Sequence, residues 1–455
     1  MSPKKMRVIG LLLTLLFAFL VFAGGGGQSQ ADSQGRVVLD VLNYTDLTVA
    51  NAAAVQRHIW TTFLMANPDI VIHREDLFNE PFHNKIEAYV AAGSIPDVMY
   101  VWPSGRSTSL HTNGLLRDLT PFIQRDGMAA NFIPIAMDPS GISGGVMTMI
   151  PRSITASHAF YTNLEVLNAV GLQPARTYSE LVAQVPILRA AGYETVIIPA
   201  QSNWVMQSTL FSMVAGRFCG EGWENDFLAG RRRFTDADFV AALDFMRRLF
   251  ADGVITQANL GMDYGAGPGL FATNRSAYYI DGDWRVGAFI TDAETGQALI
   301  SPARQQHIRI GVFPDIDLPG VRINSSTSTI LGVGWAMSNQ IPPGSAREEA
   351  AWRLIRYLSS ADIIGLEVEN GGIATPTRTD IDFSSMQLEP VQIEMGRLGS
   401  TYTYGTAVID GAFHSDVFNP INDGLFEIAM GTRTPQQVAQ QIQQIFDQGR
   451  AAGRF

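Results

Sequence analysis

Residues 36–102 switch back and forth between two hydrophobic periods, and this leaves few folds open. Residues 36–42 alternate and are rich in β-branched side chains, the pattern of a strand. Val55, Ile59, Phe63 and Ala66 then recur at helical spacing, and Asn67 and Pro68 stop the helix. Residues 69–73 read as a second strand, residues 82–92 as a second helix ended by Gly93, and residues 96–102 as a third strand. Strand, helix, strand, helix, strand with short links makes a parallel sheet covered by helices. Such open sheets take ligands at the carboxyl ends of their strands, so the residues just past each strand are the first to inspect.

The rest of the chain repeats the theme. Residues 146–150, 195–199, 277–280, 309–313 and 329–337 read as strands, and residues 203–215 and 236–250 as helices. FYTN at 160–163 leads from an apolar strand into an amphipathic helix that breaks at Gly171 and Pro174. Capping boxes follow at Thr177 with Glu180, Ser345 with Glu348, and Thr434 with Gln437, the last with Pro435 at the first helical position. The second opens a helix with the stripe Ala351, Leu354, Ile355, Leu358; the third opens one that buries Val438, Ile442, Ile445 and Phe446. A chain of 455 residues exceeds one small core and predicts two domains. Their strands come from interleaved parts of the sequence.

Residues 1–23 have the layout of a cleaved secretory signal: Lys4, Lys5 and Arg7, an apolar run, then Val21 and Ala23 at the −3 and −1 positions. The run is about 15 residues, short of the roughly 20 that span a bilayer. Residues 24–35 follow as a flexible tether. The lone cysteine, Cys219, permits no internal disulfide and reads as a small buried residue. No cysteine lies near residue 24, so a conventional lipobox is absent. The expected location is exported, periplasmic or associated with the cell envelope.

The net charge of −11 argues against nucleic acid as a partner, and the basic run at 231–233 reads as a solvated turn. The 7 histidines lack metal-ligand spacing. GAGPG at 265–269 is not followed by Lys-Ser or Lys-Thr, and no G-x-S-x-G occurs. No catalytic residue, metal or cofactor is expected.

Seven motifs, in order along nearly the whole mature chain, resemble those of one family: AAGSIPDV (91–98), GLLRDLTP (114–121), FATNRSAYYIDGDW (271–284), IGVFP (310–314), GVGWA (332–336), AAWRLIRYL (350–358) and GTRTPQQ (431–437). That family is the extracellular solute-binding proteins family 1, the maltose-binding-protein-like sugar receptors of ABC importers. The resemblance implies a two-lobed α/β fold of the type II periplasmic-binding-protein class, each lobe a sheet flanked by helices, with a ligand cleft at the hinge. It implies an N-terminal lobe from 36–153 and 334–376 and a C-terminal lobe from 154–333 and 377–455. The chain would cross near 153–157, 330–334 and 376–380. It further implies a monomer that closes around a carbohydrate and delivers it to membrane permease subunits. Two departures stand out. Thr162 precedes Asn163 where the family usually has Tyr-Asn, and the lipobox cysteine of many relatives is missing.

A sugar offers apolar faces and hydroxyl rims, so a site needs flat rings and short polar groups. Trp102 follows the third strand. Asn43 and Asp46 follow the first, where Asp46 is either a contact or the cap of the next helix. Asp281 and Trp284 follow an apolar strand, and Asp283 between them reads as a turn residue. Trp335 faces either the ligand or the core between the lobes. Trp204 resembles a stacking aromatic of the second lobe. Tyr161 and Phe418 are weaker candidates. Ser157 and His158 join them because 154–159 reads as a crossing. Trp60, Trp223 and Trp352 fit structural patterns.

Two other readings compete. An exported glycoside hydrolase would use carboxylates such as Asp281 and Asp283, but residues i and i+2 of an extended segment point oppositely. The same fold binding a peptide, polyamine or osmolyte is the other; the tryptophans favour a sugar.

Overall fold

The computed structural model describes residues 31–103, 105–142 and 145–454. The expected signal (1–23) and the tether as far as residue 30 lie outside the described residues. Among the described residues twelve strands carry the fold: β1 Val37–Tyr44, β2 Ile70–Leu77, β3 Val98–Val101, β4 Met149–Pro151, β5 Ile154–Ala156, β6 Ala159–Asn163, β7 Glu194–Ile197, β8 Ser276–Asp281, β9 Ile308–Gly311, β10 Ser326–Leu331, β11 Gly334–Met337 and β12 Tyr404–Ala407. They form a five-stranded sheet in the order β2-β1-β3-β11-β4, a four-stranded sheet β7-β8-β6-β9 and a three-stranded sheet β12-β10-β5.

The opening pattern folds as its periods dictate. β1 is parallel to both β2 and β3, and the linking helices are Ala52–Ala66 and Glu80–Ala92. The first helix buries Val55, Ile59, Trp60 and Phe63, while Ala66 is exposed. Gly93 ends the second helix in the left-handed region at φ 63°, which glycine adopts without a Cβ penalty.

Residues 329–337 do not make one strand. β10 runs antiparallel to β5 and parallel to β12, whereas β11 inserts between β3 and β4. Crowding explains the break. A Cβ on Gly334 would sit 2.1 Å from the Ile150 carbonyl oxygen, and one on Gly332 would sit 2.5 Å from that of Ser153. Only glycine lets the chain press so closely against its neighbour while changing sheets.

The helix expected at 203–215 runs on to Cys219, and its middle, Gln207–Phe211, is a wide i→i+5 turn. The capping boxes divide. At Thr434 both reciprocal bonds form. At Thr177 and Ser345 the hydroxyl accepts from the N–H three residues on. The glutamate there reaches one residue further back, to the N–H of Arg176 or Gly344.

Two lobes gather separate cores. One joins Leu39, Phe63, Val98, Ile150, Trp335 and Leu354 around the five-stranded sheet. In the other lobe, one cluster holds Phe160, Leu210, Phe239, Ile280 and Ile442, and a second holds Tyr161, Phe271, Tyr279 and Ile310. Between the lobes three stretches of chain lie side by side. The N–H of Arg152 donates to Val333, that of Gly332 to Ser153, and those of Ile154 and Thr377 to Thr375 and Arg152. The Thr377 hydroxyl adds a bond to the Pro151 carbonyl at 2.7 Å.

Gly334→Ala should therefore destabilise the protein by about 1–3 kcal/mol, the usual cost of overpacking. Urea unfolding followed by far-UV circular dichroism measures it. An unchanged midpoint would show that the strand can move aside.

Candidate ligand site between the two lobes

A cavity of ≈ 280 Å³ opens between the lobes, and the ends of several strands converge on it. Tyr44 ends β1 and Asp46 follows it, Trp102 follows β3, Ser153 precedes β5 and Thr155 lies within it, and Asp283, Trp284 and Arg285 follow β8.

Aromatic rings wall both sides. On the first lobe Tyr44 stacks on Tyr100 with centroids 5.6 Å apart and meets Trp102 edge-on at 5.3 Å. Trp335 meets Tyr100 at 5.3 Å and Trp60 at 6.2 Å. On the second lobe Trp204 lies 5.0 Å from Tyr264 and 6.3 Å from Trp284. The Trp284 indole N–H donates to the Tyr264 hydroxyl at 2.6 Å. Trp284 can fold back this far because residue 282 is glycine: a Cβ there would fall 2.2 Å from its ring.

Charged side chains sit between the rings. Arg285 is fully buried; its Nε donates to Asp281 at 3.1 Å and its Nη1 to Asp46 at 3.3 Å. Its guanidinium lies 4.2 Å from the Tyr264 ring centroid. Arg106 donates to Asp410 at 2.6 Å, and Arg152 pairs with Glu367. The Asp283 carboxylate accepts the Ala156 N–H at 2.9 Å. Burial raises the Asp283 carboxyl to about 7 and holds His83 well below its usual range, so that ring is neutral.

Several bonds cross the cleft besides Asp46 to Arg285. Asn79 donates to the Ser202 hydroxyl at 3.1 Å and accepts the Trp204 indole N–H at 2.9 Å. Asn51 bonds to the backbone of Thr291 and Ala293.

Of the residues expected from sequence, Asn43, Asp46, Trp102, Ser157, Trp204, Trp284 and Trp335 border the cavity. Tyr161, Asp281, Phe418 and His158 are not among its lining residues. Tyr161 is buried in the core of the second lobe, its hydroxyl donating to the Gly282 carbonyl at 2.8 Å. Asp281 is fully buried beneath the site and accepts from Tyr264, Tyr279, the Gly282 N–H and Arg285. Phe418 packs in the second core with Arg106 above its ring at 5.9 Å. His158 is fully buried between the Thr209 carbonyl and the Phe313 N–H. Within the lining, Asn43 spends its amide hydrogens on Thr45, Gln56 and Asp76, and the Ser157 hydroxyl is taken by Ser208 and Ser328. Asp46 does not cap the following helix, whose N-cap is Asn51. Its carboxylate accepts from the N–H and hydroxyl of Thr48 as well as from Arg285.

Sequence reading passed over Asn79, Tyr100, Tyr264 and the three arginines, took Trp60 as structural, and preferred Asp281 and Trp284 to Asp283. One signal was present: Asp281 and Arg285 are spaced i, i+4 after a strand end, a common geometry for an ion pair.

Removing the Arg285 guanidinium would strand Asp281 in the interior. Arg285→Met should cost about 3–5 kcal/mol, as for other broken buried pairs. Asp46→Asn, which leaves the Asp281 contact intact, should cost less. Urea midpoints of the two variants check the order, and equal midpoints would contradict it.

The geometry has counterparts. Residues 59–382 match the family model described as bacterial extracellular solute-binding protein. A chitin oligosaccharide binding protein aligns with TM-score 0.79 at 18% identity, covering 91% of this chain and 99% of that one. A structure from work on xylan utilization by the thermophilic bacterium Caldanaerobius polysaccharolyticus aligns with TM-score 0.78 at 21% identity, covering 90% and 99%. The maltose/maltodextrin-binding domain MalE of Bdellovibrio bacteriovorus, bound to maltotriose, aligns with TM-score 0.68 at 19% identity, covering 91% and 100%. No curated protein matches the chain in sequence. With two α/β lobes around a ring-lined cleft and a family match over most of its length, the chain belongs to the bacterial extracellular solute-binding proteins.

Proposed function

We propose that this protein is the receptor of an ABC importer and captures a sugar or oligosaccharide between its lobes for delivery to a membrane permease. The observation that carries the reading is the cavity itself. Rings stand on both walls, with short polar groups between them, which suits a molecule with flat C–H faces and a hydroxyl rim. The sugar-binding relatives of similar fold support it. The tryptophans read as carbohydrate contacts are Trp102, Trp204, Trp284 and Trp335, and their place in the lining supports that reading.

The lobes are read as 36–153 with 334–376, and 154–333 with 377–455. The residues of the two largest buried clusters fall on opposite sides of that division. The stretches around 151–154, 331–334 and 374–377 then serve as the hinge, and the bonds from Asn79 and Asp46 close the cleft over the ligand. The protein acts outside the cytoplasm as a monomer, carried there by the segment at 1–23. It does not cleave its ligand: Asp281 is saturated with hydrogen bonds below the cavity, so it and Asp283 do not flank a common bond.

Thermal unfolding of the mature chain with a panel of mono- and oligosaccharides tests the proposal. The right sugar, at a hundredfold excess over its Kd, should stabilise by about 2.7 kcal/mol and be recovered intact. Trp102→Ala should abolish most of that stabilisation, read against the variant's own unliganded midpoint, which should itself fall because the ring packs on Tyr44, Phe82 and Tyr100. A panel without a stabilising sugar would overturn the proposal.

A further inference from the structure

The charges around the cavity do not balance, and the imbalance bears on the ligand. Its lining contains three arginines, and each is already matched within the protein. Arg285 is paired with Asp46 and Asp281, Arg106 with Asp410, and Arg152 with Glu367. His83, the histidine of the lining, is held neutral by burial. One carboxylate is left over. Asp283 is 5% exposed; its carboxylate accepts the Ala156 N–H, with the backbone N–H groups of Trp284 and of its own residue also close, and among the described residues no cation pairs with it. Of the titratable groups around it, Asp281, Tyr161 and Tyr402 bring no positive charge, and Arg285, two residues on, is spent on Asp46 and Asp281. Donors are left over too. Among the described residues, Arg285 Nη2, Arg152 Nε and Trp335 Nε1 are buried on lining residues without an acceptor, and the Glu367 Oε2 beside Arg152 has no hydrogen-bond donor. Buried polar groups are ordinarily paired, so unpaired donors around one cavity describe the missing partner.

Resting on the sugar reading above, we propose that the ligand is an uncharged sugar and that Asp283 is the residue that selects it, accepting a hydrogen bond from a ligand hydroxyl while ring and hydroxyl oxygens of the ligand take up the free donors. An acidic sugar finds no unpaired cation and meets an unmatched carboxylate. Proton linkage follows. A donated hydroxyl favours the ionised form of a carboxyl whose burial has raised it to about 7. Ligand uptake therefore releases protons near neutrality, and affinity rises as pH increases through that value.

The test uses the whole mature protein. Glucose, galactose, xylose and their oligosaccharides are compared with glucuronate and galacturonate by thermal shift, and the best binder is titrated calorimetrically in buffers of different ionisation enthalpy. The neutral sugar should bind at least roughly tenfold more tightly than its uronate and should release protons. Asp283→Asn keeps the acceptor for Ala156; it should weaken the neutral sugar roughly ten- to hundredfold, the worth of a hydrogen bond to a charged group, and abolish the proton release. If the variant does not fold, the uronate comparison and the proton count on the unaltered protein still decide. A uronate bound as tightly as its neutral counterpart, or an Asp283→Asn affinity equal to the original, overturns this inference and leaves the sugar reading standing. No stabilisation by any sugar overturns the sugar reading itself.

Discussion

The buried guanidinium of Arg285 is the constraint around which the cleft is arranged. A cation with no exposed surface is tolerable only with close, well-aligned counter-charges, and Asp281 and Asp46 supply them from the two lobes. Asp281 is anchored at the end of β8 by Tyr264, Tyr279 and the Gly282 N–H. Asp46 is held in its turn by Thr48. The pair thus joins a rigid strand end on one side to a rigid turn on the other. The aromatic walls inherit their spacing from that junction, because Tyr44 and Trp284 are close sequence neighbours of its members.

Rings and charges divide the work of the cleft. The rings are mostly locked by one another: Tyr44, Tyr100, Trp102 and Trp335 form a chain of edge and face contacts, so none can turn without disturbing the next. Such a wall keeps its shape whether or not a ligand is present, which lowers the ordering cost of binding. The polar groups are locked differently. Asn43 and Ser157 spend their hydrogen bonds inside the protein and shape the lining. Arg285, Arg152, Trp335 and Asp283 each keep bonding capacity in reserve.

What could be read from sequence follows the range of the interactions involved. The alternation over 36–102 is local, and β1 to β3 with their helices follow it closely. The exit positions Trp102 and Asp46 were legible for the same reason. Trp60 was read as structural because it lies on the helix stripe with Ile59 and Phe63; it is buried there, yet its ring also reaches the cavity. Arg106 and Arg152 were invisible because their partners Asp410 and Glu367 are distant in sequence. Asp281 and Asp283 were ranked in the wrong order for bordering the cavity. Alternation along a strand says that two side chains face opposite ways but not which one faces the cleft. The break between β10 and β11 escaped the strand pattern because residues 329–337 read as one apolar run, although the resemblance implied a crossing near 330–334. The evidence lay in Gly332 and Gly334, whose role depends on where Ser153 and Ile150 come to rest.

The position of β11 bears on how the molecule comes into being. It fills the gap between β3 and β4, so the first sheet lacks the strand that joins them until Met337 is available. A chain synthesised from its N-terminus makes β1, β2 and β3 early yet leaves β3 with an open edge for most of its synthesis. Pairings so far apart in sequence form slowly, because the intervening loop must close first. For a family that works outside the cell, that delay is an asset: the chain stays threadable until well past its midpoint, and its first lobe is sealed by one of the last strands to arrive.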